Sequence, residues 1–328
     1  GATGGPAQPV PRLLLDVEPA PAAARAASGS NVQLCGTPRT TSMNTTSSLR
    51  WTWPLGLALA ALTAQAAPAG KAAAPATKAP AAADPYEGDP FKSLPWGDMR
   101  REYLGGERAV FDERVTVRGP AFAEDPMNVP VTVSVQGLEG IERIVILVDR
   151  NPIRRVLEYQ PLAALPAVSF RFKLEQASPV RAAVRTRDGL WHVGGTWVDS
   201  AGGGCTVSGA TRKDGSWTQT LGLVSGKVFD GTPSSASAPG ATPVPGAARL
   251  RLRVMHPMDT GLVGGIPAFY VNKLSVRDEA DRELLRLATY EPVSENPVFS
   301  FDFPARPTGS LRIVGTDNNG NRIDARLD

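Results

Sequence analysis

The sequence predicts an all-β chain: two antiparallel sandwiches in tandem behind one short helix. Three observations lead there. From about residue 110 the apolar residues alternate with a period of two, as half-buried strands require. Pro, Gly, Asp and Asn bound each run. No helical crossovers fit between the runs, which points to an antiparallel sandwich rather than a parallel sheet.

The helix is expected between residues 84 and 106, where Leu94, Trp96, Met99, Tyr103 and Leu104 recur at three-to-four spacing. This apolar stripe reads as packing over a sheet edge or end. Strands follow at 114–119, 129–135, 143–148, 168–174, 180–186 and 190–198, with a tight hairpin turn at Arg187, Asp188 and Gly189. A second β region is expected at 218–229, 248–255, 268–276, 283–289, 298–303, 311–316 and 322–327. Between its first two strands, 231–246 is rich in Pro, Ser and Ala and reads as a disordered loop.

Residues 1–42, rich in Ala, Pro, Gly and Ser, read as a disordered segment upstream of the true start. Met43, Arg50, the apolar run from Trp51 to Leu62 and the Ala64-Gln65-Ala66 ending describe a secretory signal peptide over 43–66. That apolar run falls short of the roughly 20 residues a spanning helix needs. No cysteine follows Ala66, so no lipid anchor is expected there. An Ala/Pro-rich linker covers 67–88, the first sandwich 89–200, a glycine-rich segment 201–216 and the second sandwich 217–328.

The chain of 328 residues carries a net charge of +3. Past Ala66 its charges nearly balance, and no basic stripe or aromatic platform stands out along the sequence. Nucleic acid is therefore not an expected partner. Of the two cysteines, Cys35 precedes the presumed start, leaving Cys205 alone in the exported chain. A lone thiol in an oxidising compartment has no internal disulfide partner, so its presence points to a reactive or protected group.

Cys205 sits in Gly202-Gly203-Gly204-Cys205-Thr206-Val207, where glycine gives backbone freedom and removes bulk. The expectation is a flexible arm. Folded back on itself, with legs of roughly eight residues at about 3.3 Å each, it would project the sulfur about 25 Å. Such reach suits delivery into another protein's cleft better than catalysis, which needs a fixed nucleophile. An ordinary glycine-rich linker is the alternative on composition alone. Arg212 and Lys213 are the nearest cations in sequence. His192 and His256, the only histidines, lack metal-ligand spacing and read as structural. No metal, cofactor or catalytic constellation is expected.

These residues resemble a known family. From about residue 89 to 205 the chain is similar to SoxY, through LVDRNP at 147–152, SPVRAAVRTRDGLWHV at 178–193 and GGGC at 202–205. From about 218 onward it is similar to SoxZ, through HPMDTG at 256–261, NKL at 272–274 and SENPVFSF at 294–301. The head-to-tail order resembles the fused SoxYZ-like carriers associated with quinoprotein alcohol dehydrogenases. The resemblance implies immunoglobulin-like sandwiches packed together in the periplasm. It makes Cys205 the covalent attachment point for sulfur intermediates, and c-type cytochrome and hydrolase components the partners. His256, Pro257, Met258 and Asp259 would form a docking or structural motif. Unlike separate SoxY, the chain continues past the thiol through Thr206 and Val207. A loop tethered at both ends is thicker than a free tail, which leaves room for a different cargo. A non-catalytic accessory module of a quinoprotein dehydrogenase system is the second reading, and a thiol-dependent enzyme the third.

Overall fold

The computed structural model describes residues 86–231 and 246–328. All of them fall in one compact unit, Thr77–Asp328; a further unit, Gly1–Ala76, lies outside the described residues. The expected upstream segment 1–42, the signal peptide 43–66, most of the linker 67–88 and nearly all of the loop 231–246 are likewise outside them.

Sixteen strands and three short helices make up the described residues. The helix α1 (Trp96–Tyr103) comes first, then β1 (Ala109–Phe111), β2 (Val115–Arg118), β3 (Phe122–Ala123), β4 (Val129–Val135) and β5 (Ile141–Val148). β6 (Arg155–Gln160), β7 (Ala167–Phe172), β8 (Ser178–Thr186) and β9 (Trp191–Ser200) complete the first half. The helices α2 (Ala210–Asp214) and α3 (Trp217–Thr220) lead into β10 (Val224–Asp230), β11 (Ala248–Val254) and β12 (Val271–Arg277). β13 (Glu283–Thr289), β14 (Val298–Phe303), β15 (Leu311–Asp317) and β16 (Arg322–Leu327) end the chain.

The architecture is that of immunoglobulin-like sandwiches in tandem, and the two are joined edge to edge. One sheet runs β1-β9-β8-β5-β6-β13-β12-β15-β16, with β3 paired to β9 off this path; the other runs β10-β11-β14-β7-β4-β2. Each sheet crosses from the first half to the second through an antiparallel pair. Tyr159 on β6 lies opposite Leu287 on β13, and Val168 on β7 opposite Phe301 on β14. Pairing these edges satisfies backbone groups that two separate sandwiches would leave exposed. A single apolar core between the sheets runs through both halves, from Val133, Ile146 and Phe172 to Phe299, Leu285 and Ile313. Burying each such side chain contributes about 1.5–3 kcal/mol.

β6 was not expected from the sequence. Its RVLEYQ run breaks strict alternation, burying Val156 and Leu157 in succession. The expected strand 218–229 is instead α3 followed by β10.

The helix stripe packs over a sheet except at Leu94, which precedes α1 and is 72% exposed. Trp96, Met99 and Leu104 form a second apolar cluster with Val145, Leu147, Trp191 and Val193 on the outer face of the larger sheet. Beneath it Arg181, fully buried, pairs with Asp89 at 2.7 Å and with Asp149 at 2.8 Å. Its guanidinium also lies 4.5 Å from the Trp96 ring. A buried cation held by two carboxylates fixes geometry more than it adds stability. Here it fixes Asp149, and with it the β5–β6 turn that carries the rest of the LVDRNP motif. No helix among the described residues is long and apolar enough to cross a membrane.

Candidate functional site

The backbone running on from β7, Lys173 to Glu175, is the floor of the site. Asn151 of the β5–β6 turn holds it from one side: Nδ2 donates to the Lys173 carbonyl and Oδ1 accepts from the Glu175 amide, both at 2.8 Å. The turn is itself tied to β8, where Ser178 Oγ accepts from the Arg150 amide at 3.0 Å. Two of the resembling motifs, LVDRNP and SPVRAAV, therefore act together to place three residues that neither contains.

Onto that floor the glycine-rich segment folds back. Gly203 N–H donates to the Glu175 carbonyl at 3.3 Å, and the Cys205 amide donates to Glu175 Oε2 at 2.8 Å. Thr206 Oγ1 donates to Glu175 Oε1 at 3.0 Å. The Cys205 thiol is 0 % exposed and donates to the Lys173 carbonyl at 3.6 Å. The expected flexible arm of Gly202, Gly203 and Gly204 is thus corrected by the structure: the thiol is seated, not projected.

The glycines serve close packing and unusual backbone angles. Gly202 and Gly203 have φ of +96° and +86°, a region that L side chains rarely adopt. A Cβ on Gly204 would lie 2.6 Å from the Leu174 carbonyl oxygen, nearer than any real contact, and would also collide with the Pro126 carbonyl. The narrow cleft that a thin backbone enters belongs to this chain itself.

The second half supplies the roof. In the HPMDTG motif, Thr260 Oγ1 donates to the Cys205 carbonyl at 2.6 Å. Met258, left-handed at φ +51°, turns its carbonyl to accept from Lys173 Nζ. Asp259 accepts from Arg212 Nε at 2.9 Å, and that guanidinium also lies 4.2 Å from the Trp217 ring. The motif is braced from behind: Nδ1 of the buried His256 accepts from the Met258 amide at 3.1 Å, while Nε2 faces Asp317 at 3.5 Å. SENP locks to it, since Asn296 Oδ1 accepts from the His256 amide and the Asn296 amide donates to the His256 carbonyl. Its Glu295 accepts from the amides of Ala210 and Thr211, capping α2 just past the thiol segment.

His256, Pro257, Met258 and Asp259 therefore form a buried structural clamp on the thiol segment. Arg212, one of the two cations nearest the thiol in sequence, is committed to Asp259 and Trp217. The cation that acts on Cys205 is Lys173.

Burial pushes the thiol up to about 12; the Glu175 carboxylate adds to the shift and the Lys173 charge opposes it. Burial also brings the Lys173 amine down to about 8, against the pull of Cys205, Asp259, Glu295 and Glu291. A seated thiol at neutral pH is protonated and a poor nucleophile. The site protects the sulfur. Lys173, Glu175 and Thr260 were not singled out in the sequence; a Lys and a Glu flanking Leu174 at the end of an apolar strand were the visible signal.

Gly204→Ala and Glu175→Gln should each unseat the segment, raising the rate at which an aromatic disulfide reagent labels Cys205 at pH 8 by at least about tenfold, equivalent to ~1.4 kcal/mol of seat stability. A stiffened mobile arm would label no faster, so unchanged rates contradict the seat. Burial holds His256 at about 4, against attraction from Asp317 and Asp259. The unfolded chain takes up this proton near 6.5 and the folded chain only near 4. Stability should therefore fall on acidification between these values, by up to about 3 kcal/mol from this group. Denaturant midpoints at about pH 4.5 and pH 7 should differ less in His256→Gln than in the wild type; equal differences would contradict this.

Comparison with known proteins agrees with the motifs. The family model described as sulfur oxidation protein SoxY matches residues 100–205, ending on Cys205 itself. That described as sulphur oxidation protein SoxZ matches residues 239–328. No curated protein matches the chain. Among solved structures, the sulfur carrier protein SoxY from Chlorobium limicola f thiosulfatophilum is similar at 21% identity, covering 33% of this chain and 96% of that one, with a TM-score of 0.29. A superoxide reductase (neelaredoxin) from Ignicoccus hospitalis follows at 18% identity, covering 31% and 90%, with a TM-score of 0.23. Likenesses this slight carry no argument, and the two family matches decide the matter: the chain belongs to the SoxYZ sulfur-oxidation family, with a SoxY domain and a SoxZ domain in one polypeptide.

Proposed function

We propose that the protein is a periplasmic sulfur carrier that binds its cargo covalently on Cys205 and presents it to separate enzymes, itself performing no catalysis. The observation that carries this reading is the position of the free thiol. Cys205 is the only cysteine among the described residues, and it closes the SoxY match. A seat built by both domains surrounds it.

The chemistry of loading explains why partners are needed. Joining the thiol to the outer sulfur of thiosulfate forms one S–S bond and releases one proton and two electrons. A redox partner, such as a c-type cytochrome, must take those electrons. A hydrolase would then remove the terminal sulfonate as sulfate, using water.

Carriage requires the segment to leave its seat. Few bonds hold it, chiefly those to Glu175 and Thr260, and Thr206 and Val207 just beyond are already exposed. Local opening of such a weakly anchored segment costs far less than unfolding the core. Once outside, the thiol loses the burial that raises its pKa, and its thiolate fraction grows.

The burial of Cys205 also favours a second reading, an accessory module of a quinoprotein dehydrogenase system that works through its surfaces. The two readings part at the sulfur. Protein isolated from the periplasm of sulfur-oxidising cells should carry added mass on Cys205, and Cys205→Ser should abolish both the adduct and the function. An unmodified thiol, with function retained in Cys205→Ser, would select the accessory module.

A further inference from the structure

The outer faces of the two sheets differ in how they treat charge. On the larger sheet most of the arginines are matched, Arg155 with Glu158, Arg185 with Glu107 and Glu142, Arg286 with Glu283 and Arg312 with Asp324; Arg322 and Arg326, exposed on the terminal strand β16, are the exceptions. On the smaller sheet, Arg118, Arg171, Lys227, Arg249, Arg251 and Arg253 all stand on the outward positions of the strands. Asp302 is the one carboxylate outward on those strands, and it is buried against Arg249 at 2.8 Å. Among the described residues no ion pair engages the guanidinium groups of Arg171, Arg251 or Arg253, and all three are exposed.

Strand order assembles this face. Arg251 and Arg253 alternate with the buried Leu250, Leu252 and Val254, and Lys227 lies directly opposite Arg251 across the β10–β11 pair. Arg171 joins from the first domain, because β14 pairs with β7. In a protein of net charge +3, the concentration of cations on one face is a matter of placement, not of excess.

We propose that this face is a docking surface for a partner protein presenting a carboxylate-rich patch. Charge complementarity names the partner's sign, and two features favour protein over a phosphate polymer. Phe229 is 45% exposed beside Lys227, and Val298 is half-buried beside Arg253, giving the arginine and apolar mixture of protein interfaces. The face is a sheet surface, with no row of aromatic rings on which bases would stack.

Its location ties it to the thiol. Arg171 precedes Lys173 by two residues, about 6.6 Å along an extended strand, and Lys173 and Glu175 form the floor under Cys205. An acidic partner seated on these arginines would stand beside the segment as it opens. The inference deepens the carrier reading by naming the partner's chemistry, and it rests on that reading only for what is delivered.

Poly-L-glutamate, heparin and phosphatidylglycerol vesicles, presented in turn to the full chain, test it. Poly-L-glutamate should bind at low salt and be released as added salt shortens the screening length from about 10 Å to about 3 Å. Arg251→Glu with Arg253→Glu should weaken this by at least about tenfold, and the neutral pair Arg251→Gln with Arg253→Gln by a smaller factor. Arg282→Glu with Arg286→Glu, at the second domain's other sheet, should change it less than about twofold. Equal losses from both reversed pairs, no salt-sensitive binding, or heparin or vesicles held about tenfold more tightly through Arg251 and Arg253 would each overturn the proposal. Cys205→Ser should bind as the wild type does. A missing sulfur adduct beside intact, face-dependent binding would therefore count against the carrier reading alone.

Discussion

Everything at the thiol depends on a short run of backbone, Lys173 to Glu175, held open between two domains. Asn151 pins it from the SoxY domain, and Met258 of the SoxZ domain accepts its buried ammonium. With the floor fixed, the Glu175 carboxylate can reach both the Cys205 amide and the Thr206 hydroxyl. A displaced floor would leave the glycine segment without its cleft. Lys173 would then be left without a partner in the apolar interior, a costly outcome for a charged group.

This arrangement gives the edge-joined sheets a purpose beyond stability. The β7–β14 pairing brings the end of β7 up to the segment that carries SENP, and the Lys173 amide donates to the Pro292 carbonyl at 2.6 Å. The Ser294 hydroxyl donates to the Met127 carbonyl in the first domain. In one polypeptide, the seat's floor and roof come from different domains yet share continuous sheets. A thiol so enclosed is protected by geometry as well as by its protonated state.

Much of the fold was legible in the sequence because alternation survives wherever a strand has one buried face. β6 was lost because its two faces are not cleanly divided, and it happens to be a strand that joins the domains. The motifs were legible as patterns, and their meeting was not: His256 and Asn296 are 40 residues apart and touch only through the fold. The glycines were misread for a physical reason. Composition cannot separate a glycine chosen for freedom from one chosen because a Cβ would strike backbone, and Gly204 is of the second kind. The basic face escaped notice similarly. The RLRLR run was visible, but Arg171 and Lys227 reach it only through strand order.

On this reading the thiol segment is seated by Glu175 and Thr260 and opens locally, without unfolding of the sheets. Hydrogen exchange followed by mass spectrometry over residues 202–206 tests it directly. These amides should show protection well above that of an unstructured chain, lost selectively in Glu175→Gln while β7 and β14 exchange as slowly as before. Exchange at the unstructured rate in the wild type would contradict it, as would loss of protection only together with the core strands.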